Sequence, residues 1–120
     1  MTPKETAKSI ARFASEKKAE NIVVLDMRKV VNYCDYFVLC SGNTDRQTRA
    51  IADHIHEELK ELNIRLRLRE GFSKADWVIV DTGDVVTHVF QKRVREFYQL
   101  EYLWQDAKPV DWEKQAKIKQ

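Results

Sequence analysis

Hydrophobic and polar positions run along this chain in two periods, and the places where one gives way to the other mark its elements. Ala7, Ile10, Ala11 and Ala14 recur at helical spacing, which gives a helix over residues 3–19 one apolar face. Thr2-Pro3-Lys4-Glu5 starts it: Thr2 caps, Pro3 suits the first helical position, and Glu5 completes a capping box. Ile22-Val23-Val24-Leu25 and Tyr36-Phe37-Val38-Leu39-Cys40 are short continuous apolar runs, the pattern of strands covered on both faces. A second helix begins at Thr44, where Thr44-x-x-Gln47 is another capping box. It carries the stripe Ile51, Ile55, Leu59 and Leu62 and ends near Asn63.

Beyond it, Arg65-Leu66-Arg67-Leu68-Arg69 alternates strictly and predicts a strand with one wet face. Glu70–Asp76 is a loop around Gly71. WVIVDTGDVVTHVF, residues 77–90, is the clearest hairpin, two β-branched runs flanking Asp81-Thr82-Gly83-Asp84. Gln91–Tyr98 is a short helix, and Leu100, Leu103 and Trp104 form a last apolar cluster. From Asp106 onward, Pro109 and the Lys-rich ending predict a flexible tail. The order α-β-β-α-β-β-β-α predicts one α/β domain over residues 1–107, a mixed sheet of about five strands packed with helices, and a tail over 108–120.

Composition adjusts this picture only slightly. At 120 residues the chain suits one domain. A bilayer span needs about 20 apolar residues and none is present. Met1-Thr2-Pro3-Lys4-Glu5 has no apolar core of a secretory signal, so the cytoplasm is the expected location. Cys34 and Cys40 match no zinc spacing and read as buried thiols. The net charge of +2 resides in the tail, where four Lys stand against Asp111 and Glu113. Residues 70–106 hold four positive and seven negative groups, so the most patterned half of the chain is acidic. A phosphate-backbone binder concentrates Lys and Arg on its working face, so a direct DNA or RNA surface is disfavoured.

Candidate chemistry is sparse. CSGNTDRQTRAIADHI, residues 40–55, runs from strand through small residues to helix, an order that can cradle a phosphate or present a nucleophile. It has one glycine and no Lys, unlike a phosphate-binding loop, and lacks Gly-x-Ser-x-Gly. His54 and His56 lie roughly 15 Å or more up the helix axis from the cap, too far to activate Cys40. Gly42 turning the chain and Thr44 capping the helix account for most of the stretch. Asp81 and Asp84, with Asp26 and Asp35 near other strand ends, could hold Mg²⁺ in a metal-dependent nucleotidyltransferase. Asp also favours turns for its own local hydrogen bonding, and that account is preferred. His88 shares one strand face with Val86 and Phe90, as a packed or interface histidine rather than a ligand. Trp77 is either core or a partner anchor. Arg46, Arg49, Arg65, Arg67 and Arg69 are interleaved with acidic residues and read as a solvated face.

DYFVLCSGNTDRQTRAIADHI and REGFSKADWVIVDTGDVVTHVFQKRVREFYQLEYLWQDA together resemble the ribosomal silencing factor family, the bacterial relatives of plant Iojap, over about residues 5–107. The resemblance is carried by Glu70-Gly71, Trp77, Asp81-x-Gly83-Asp84-Val85-Val86 and His88-Val89-Phe90. Arg95-x-Phe97-Tyr98-x-Leu100-Glu101 and Leu103-Trp104 complete it. It implies a nucleotidyltransferase-like fold without the catalytic carboxylates, and a non-enzymatic role with no cofactor or metal. It further implies binding to the fourteenth protein of the large ribosomal subunit, at the face where the small subunit docks. That contact would block joining of the subunits and damp translation when nutrients run short. Homodimers are implied too, which the sequence itself does not decide. On this resemblance the partner surface comprises Trp77, His88, Phe97 and Tyr98 as its apolar part, with Asp84, Glu96 and Glu101 as an acidic rim. Arg46 and Gln47 are secondary positions that either tie strand ends or touch the ribosome. The rivals are a metal-dependent nucleotidyltransferase or nucleotide-binding protein, needing Asp81, Asp84 and a third carboxylate to converge, and an RNA-binding accessory factor acting through the arginines and tail.

Overall fold

Thr2 opens the first helix, α1 (Pro3–Glu16), through the expected box: its backbone N–H donates to Glu5 Oε1 at 2.8 Å, and Glu5 N–H donates to Thr2 Oγ1 at 3.1 Å. The helix stops at Glu16, short of the predicted residue 19, because Lys18 takes a left-handed conformation with φ of +61°. The computed structural model describes residues 1–99, 102 and 104–113, with the side chain of Tyr98 outside that set. The elements that follow are β1 (Glu20–Asp26), β2 (Tyr36–Gly42), α2 (Asp45–Glu61), β3 (Leu68–Glu70), β4 (Trp77–Asp81), β5 (Val85–Gln91), α3 (Lys92–Tyr98) and β6 (Lys108–Val110).

These strands make one six-stranded sheet in the order β3-β4-β5-β2-β1-β6. The central pair, β2 and β5, is parallel, and the other pairings are antiparallel. Both central strands are buried along their whole length, as continuous apolar runs require. α1 and α2 cover one face, where Ile10, Ile51, Ile55 and Leu59 pack on Val24, Val38, Cys40, Val78, Val80 and Val89. The opposite face carries Leu25, Phe37, Leu39, Val86 and Phe90, capped by Met27, Cys34, Val94 and Ala107. Cys34 and Cys40 thus fall in different halves of the core, both free thiols, and burial pushes them up to about 11 and about 12.

Four expectations need correcting. The strand predicted over residues 65–69 is the three-residue β3, and all of it is exposed. Ile64 and Leu66 supply the inward packing from the connecting segment instead, while Leu68 is left in solvent. Leu62, assigned to the buried stripe of α2, is its exposed C-cap. At the N-terminus of α2, Thr44 Oγ1 accepts from Gln47 N–H at 3.0 Å, but Gln47 does not return the bond to Thr44. Its Oε1 accepts from Asn43 N–H at 2.7 Å and its amide donates to Lys18 O at 3.3 Å. Gln47 therefore ties the α1–β1 corner to the β2–α2 corner. Lastly, the tail predicted from Lys108 is part of the sheet over Lys108–Val110, where β6 pairs with β1 and Val110 and Trp112 pack on the α1–α2 side. Residues 114–120 lie outside the described set.

Candidate functional site

Strand alternation builds the site. Trp77 and Ile79 of β4 and Val86, His88 and Phe90 of β5 point away from α1 and α2, with Trp77 paired to Phe90 and Ile79 to His88. The parallel register sets Phe37 of β2 opposite Val86 and Leu39 opposite His88, so the patch extends across three strands. Trp104, from the segment after α3, stands perpendicular on Phe37 with ring centroids 4.9 Å apart. Trp77 leans on Phe90 at 5.1 Å, and Tyr33, exposed, flanks Phe37 at 6.3 Å. Trp77, Ile79 and Trp104 are half-buried, leaving this side of the sheet only partly covered.

His88 lies at its centre. Its ring is within 6 Å of Phe37, Phe90 and Trp104, lying parallel to Phe90 and edge-on to Phe37. The Trp77 indole N–H donates to His88 Nδ1 at 3.1 Å, which places the imidazole proton on Nε2. That Nε2 is buried with no hydrogen-bond partner among the described residues. Desolvation by burial pushes the His88 pKa down to about 4, so the ring is neutral at physiological pH.

The other predicted site residues do not form one ring around this centre. Asp84 is exposed at the turn before β5, four residues and about 13 Å from His88 along the strand. Its carbonyl accepts from Asp35 N–H at 2.8 Å and Tyr36 N–H at 3.1 Å, joining the β4–β5 turn to the start of β2. Glu96 and Phe97 lie past the opposite end of β5 on α3. Phe97 is 78% exposed, and Glu96 lines a cavity of about 250 Å³ with Ser41, Lys92 and Arg95. The Tyr98 side chain and all of Glu101 lie outside the described residues. Arg46 is exposed, while Gln47 is the corner tie described above.

Several contributors escaped the sequence reading. Phe37, Ile79 and Trp104 form the patch with the residues that were singled out, yet a continuous apolar run gives no signal for which face a residue takes. Arg95, 6% exposed, bonds through Nη1 to Asn21 O at 2.7 Å and Ser41 Oγ at 2.9 Å and so fixes α3 to the ends of β1 and β2. Two of the arginines assigned to a solvated face do structural work. Arg49 donates to the carbonyls of Phe72 and Ser73, and Arg69 lies 3.5 Å over the Phe72 ring while pairing with Asp53. Both hold the loop that leads into Trp77.

Metal ligation finds little footing near the hairpin. Asp81 Oδ1 accepts from Gly83 N–H at 2.6 Å, a local turn bond. Among the described residues, neither Asp81 nor Asp84 joins a group of three metal-ligating side chains. Glu16, His54 and Glu58 do come within 4.8 Å of one another, at the α1–α2 seam, and there His54 Nε2 and Glu16 Oε1 are 2.7 Å apart.

Fold and site together define an α/β domain with a mixed sheet, helices α1 and α2 on one face and a partly covered aromatic patch on the other. The family model described as "Ribosomal silencing factor during starvation" matches residues 1–120, and the chain belongs to that family. The ribosomal silencing factor of Bacillus subtilis is 45% identical over 92% of this chain and 94% of its own. A mouse protein named mitochondrial assembly of ribosomal large subunit protein 1 is 33% identical over 74% of this chain and 40% of its own. A crystal structure of a Chromobacterium violaceum protein superposes with a TM-score of 0.85 at 33% identity, covering 92% of each chain.

Proposed function

We propose that this protein docks on the large ribosomal subunit through that subunit's fourteenth protein, and that its presence there keeps the small subunit from joining. The observation that carries the reading is the Trp77–His88 pair at the centre of a partly covered aromatic face, in a chain of the silencing-factor family. Trp is among the residues enriched at binding hot spots, because an indole offers large area with few torsions to order. The acidic balance of residues 70–106 suits a basic partner, where opposite charge speeds encounter and sets orientation.

Cosedimentation with separated ribosomal subunits tests it. Wild type is expected to pellet with large subunits alone and to suppress subunit joining followed by light scattering. Trp77→Ala is expected to weaken binding by at least about tenfold, the scale of a hot-spot truncation. Asp84→Lys is expected to weaken it by reversing a charge, with circular dichroism showing both variants folded. Absence of binding to either subunit overturns the reading, and binding without any effect on joining overturns its second half.

A further inference from the structure

The exposed part of the aromatic face depends on how the Trp77 indole is held, and a hydrogen bond to His88 is one of the contacts that hold it. We infer that His88 is a positioning residue, whose Nδ1 accepts the Trp77 indole N–H and thereby fixes the angle at which the indole is presented to a partner. This rests on the docking role proposed above and adds to it the residue that preorganises the anchor.

Three observations lead there. First, packing alone does not call for histidine at this position. Its ring neighbours include Phe37, Phe90 and Trp104, and its Nε2 is a buried donor with no partner among the described residues, which is destabilising. An aromatic hydrocarbon would occupy the same space without that cost. Phe, however, cannot accept the Trp77 N–H, as His88 does at 3.1 Å. Second, the ring is held from several sides, by Phe37 at 4.8 Å and by Phe90 and Trp104 at 5.8 Å each. A fixed acceptor can fix its donor. Third, His88 is paired with Ile79, two residues along β4 from Trp77, the diagonal arrangement in which a large side chain on one strand reaches its neighbour. Burial also keeps the imidazole neutral near pH 7, so the acceptor persists under physiological conditions.

Holding the indole in its bound pose before contact removes an ordering cost from association, a benefit of about three- to tenfold in affinity for one such side chain. The experiment compares wild type, Trp77→Ala, His88→Phe and His88→Gln in binding to purified large subunits. Urea midpoints are measured alongside, together with the Trp77 indole ¹H–¹⁵N signal, assigned with Trp77→Phe. Positioning predicts that His88→Phe binds about three- to tenfold more weakly although its urea midpoint holds or rises. His88→Gln, whose side-chain carbonyl can accept the indole N–H, recovers part of the affinity despite being the poorer packer. The indole signal moves in His88→Phe and returns towards wild type in His88→Gln. Packing alone predicts the reverse order, with Phe binding as wild type and Gln worse, and that result overturns the inference. If Trp77→Ala loses binding while His88→Phe does not, docking stands and positioning falls. If wild type does not bind at all, the docking reading falls, and an indole signal unchanged in His88→Phe overturns the positional claim separately. Should His88→Phe fail to fold, His88→Leu, also without an acceptor, takes its place in every comparison.

Discussion

Gly71 and Gly83 both sit in the left-handed region, with φ of +87° and +101°, yet they answer to different constraints. A Cβ on Gly71 would lie 2.1 Å from the Trp77 carbonyl oxygen, whereas one on Gly83 meets nothing within 4 Å. Gly83→Ala is therefore expected to cost only backbone strain, about 1 kcal/mol. Gly71→Ala should cost about 3 kcal/mol or more, since the strand start must also shift. Urea denaturation of the two variants checks the difference, and equal midpoints would contradict it. His88 supplies a pH dependence whose sign follows from its depressed pKa. The unfolded ring binds a proton below about 6.5, the folded one only below about 4. Between those values the unfolded state holds more protons, so the contribution is complete above pH 6.5 and is lost as pH falls towards 4. The loss is roughly 3 kcal/mol in total, and His88→Phe should flatten that part of the stability profile. The sequence showed Gly71 as the centre of a loop and His88 as a member of one strand face. It could not show what a Cβ would strike, or that a Trp N–H meets the imidazole, because both depend on partners brought together by the register of β4 and β5.

Among the elements, those with their own local code were legible. The cap of α1, the stripe of α2, the hairpin of β4 and β5 and the short α3 all follow from capping residues or periodicity. β6 was not, since Lys108-Pro109-Val110 has neither an apolar run nor alternation, and it is a strand only because β1 offers an edge. Its anchorage is testable: Trp112 is half-buried against the α1–α2 side, and Trp112→Ala is expected to destabilise by about 2 kcal/mol. A loss-free Trp112→Ala in thermal denaturation would mean the segment contributes little. β3 shows the opposite limit. Its alternating Arg and Leu promise a half-buried strand, but Leu66 turns inward before the pairing starts and Arg69 is drawn over Phe72. Gln47 was expected either to tie strand ends or to touch a partner, and the structure shows the tie: its Oε1 bonds Asn43 N–H within the β2–α2 corner, and its amide reaches Lys18 O in the α1–β1 corner.

For the whole molecule, charge and sheet order set how it meets others. Asp84 is exposed at one end of the aromatic face, so Asp84→Lys should act mainly on association rate. Raising salt from about 0.1 M to about 1 M shrinks the screening length from about 10 Å to about 3 Å. Stopped-flow binding to large subunits should slow over that range for wild type and slow less for Asp84→Lys; equal slopes would remove electrostatics from the encounter. Overall charge was readable from composition, but its distribution was not, since Asp84 and Glu96 stand at opposite ends of β5 rather than around one rim. Among the described residues the sheet's two borders, β3 and β6, are each three residues long, with Arg69 and Glu70 on one and Lys108 and Pro109 on the other. Short, charged borders, one of them holding a residue with no N–H to lend, are poor templates for a further strand. Exchanging Lys108 and Pro109 for Val would remove a charge from that border and restore an N–H to it, so the variant is expected to aggregate into fibres more readily than the natural chain.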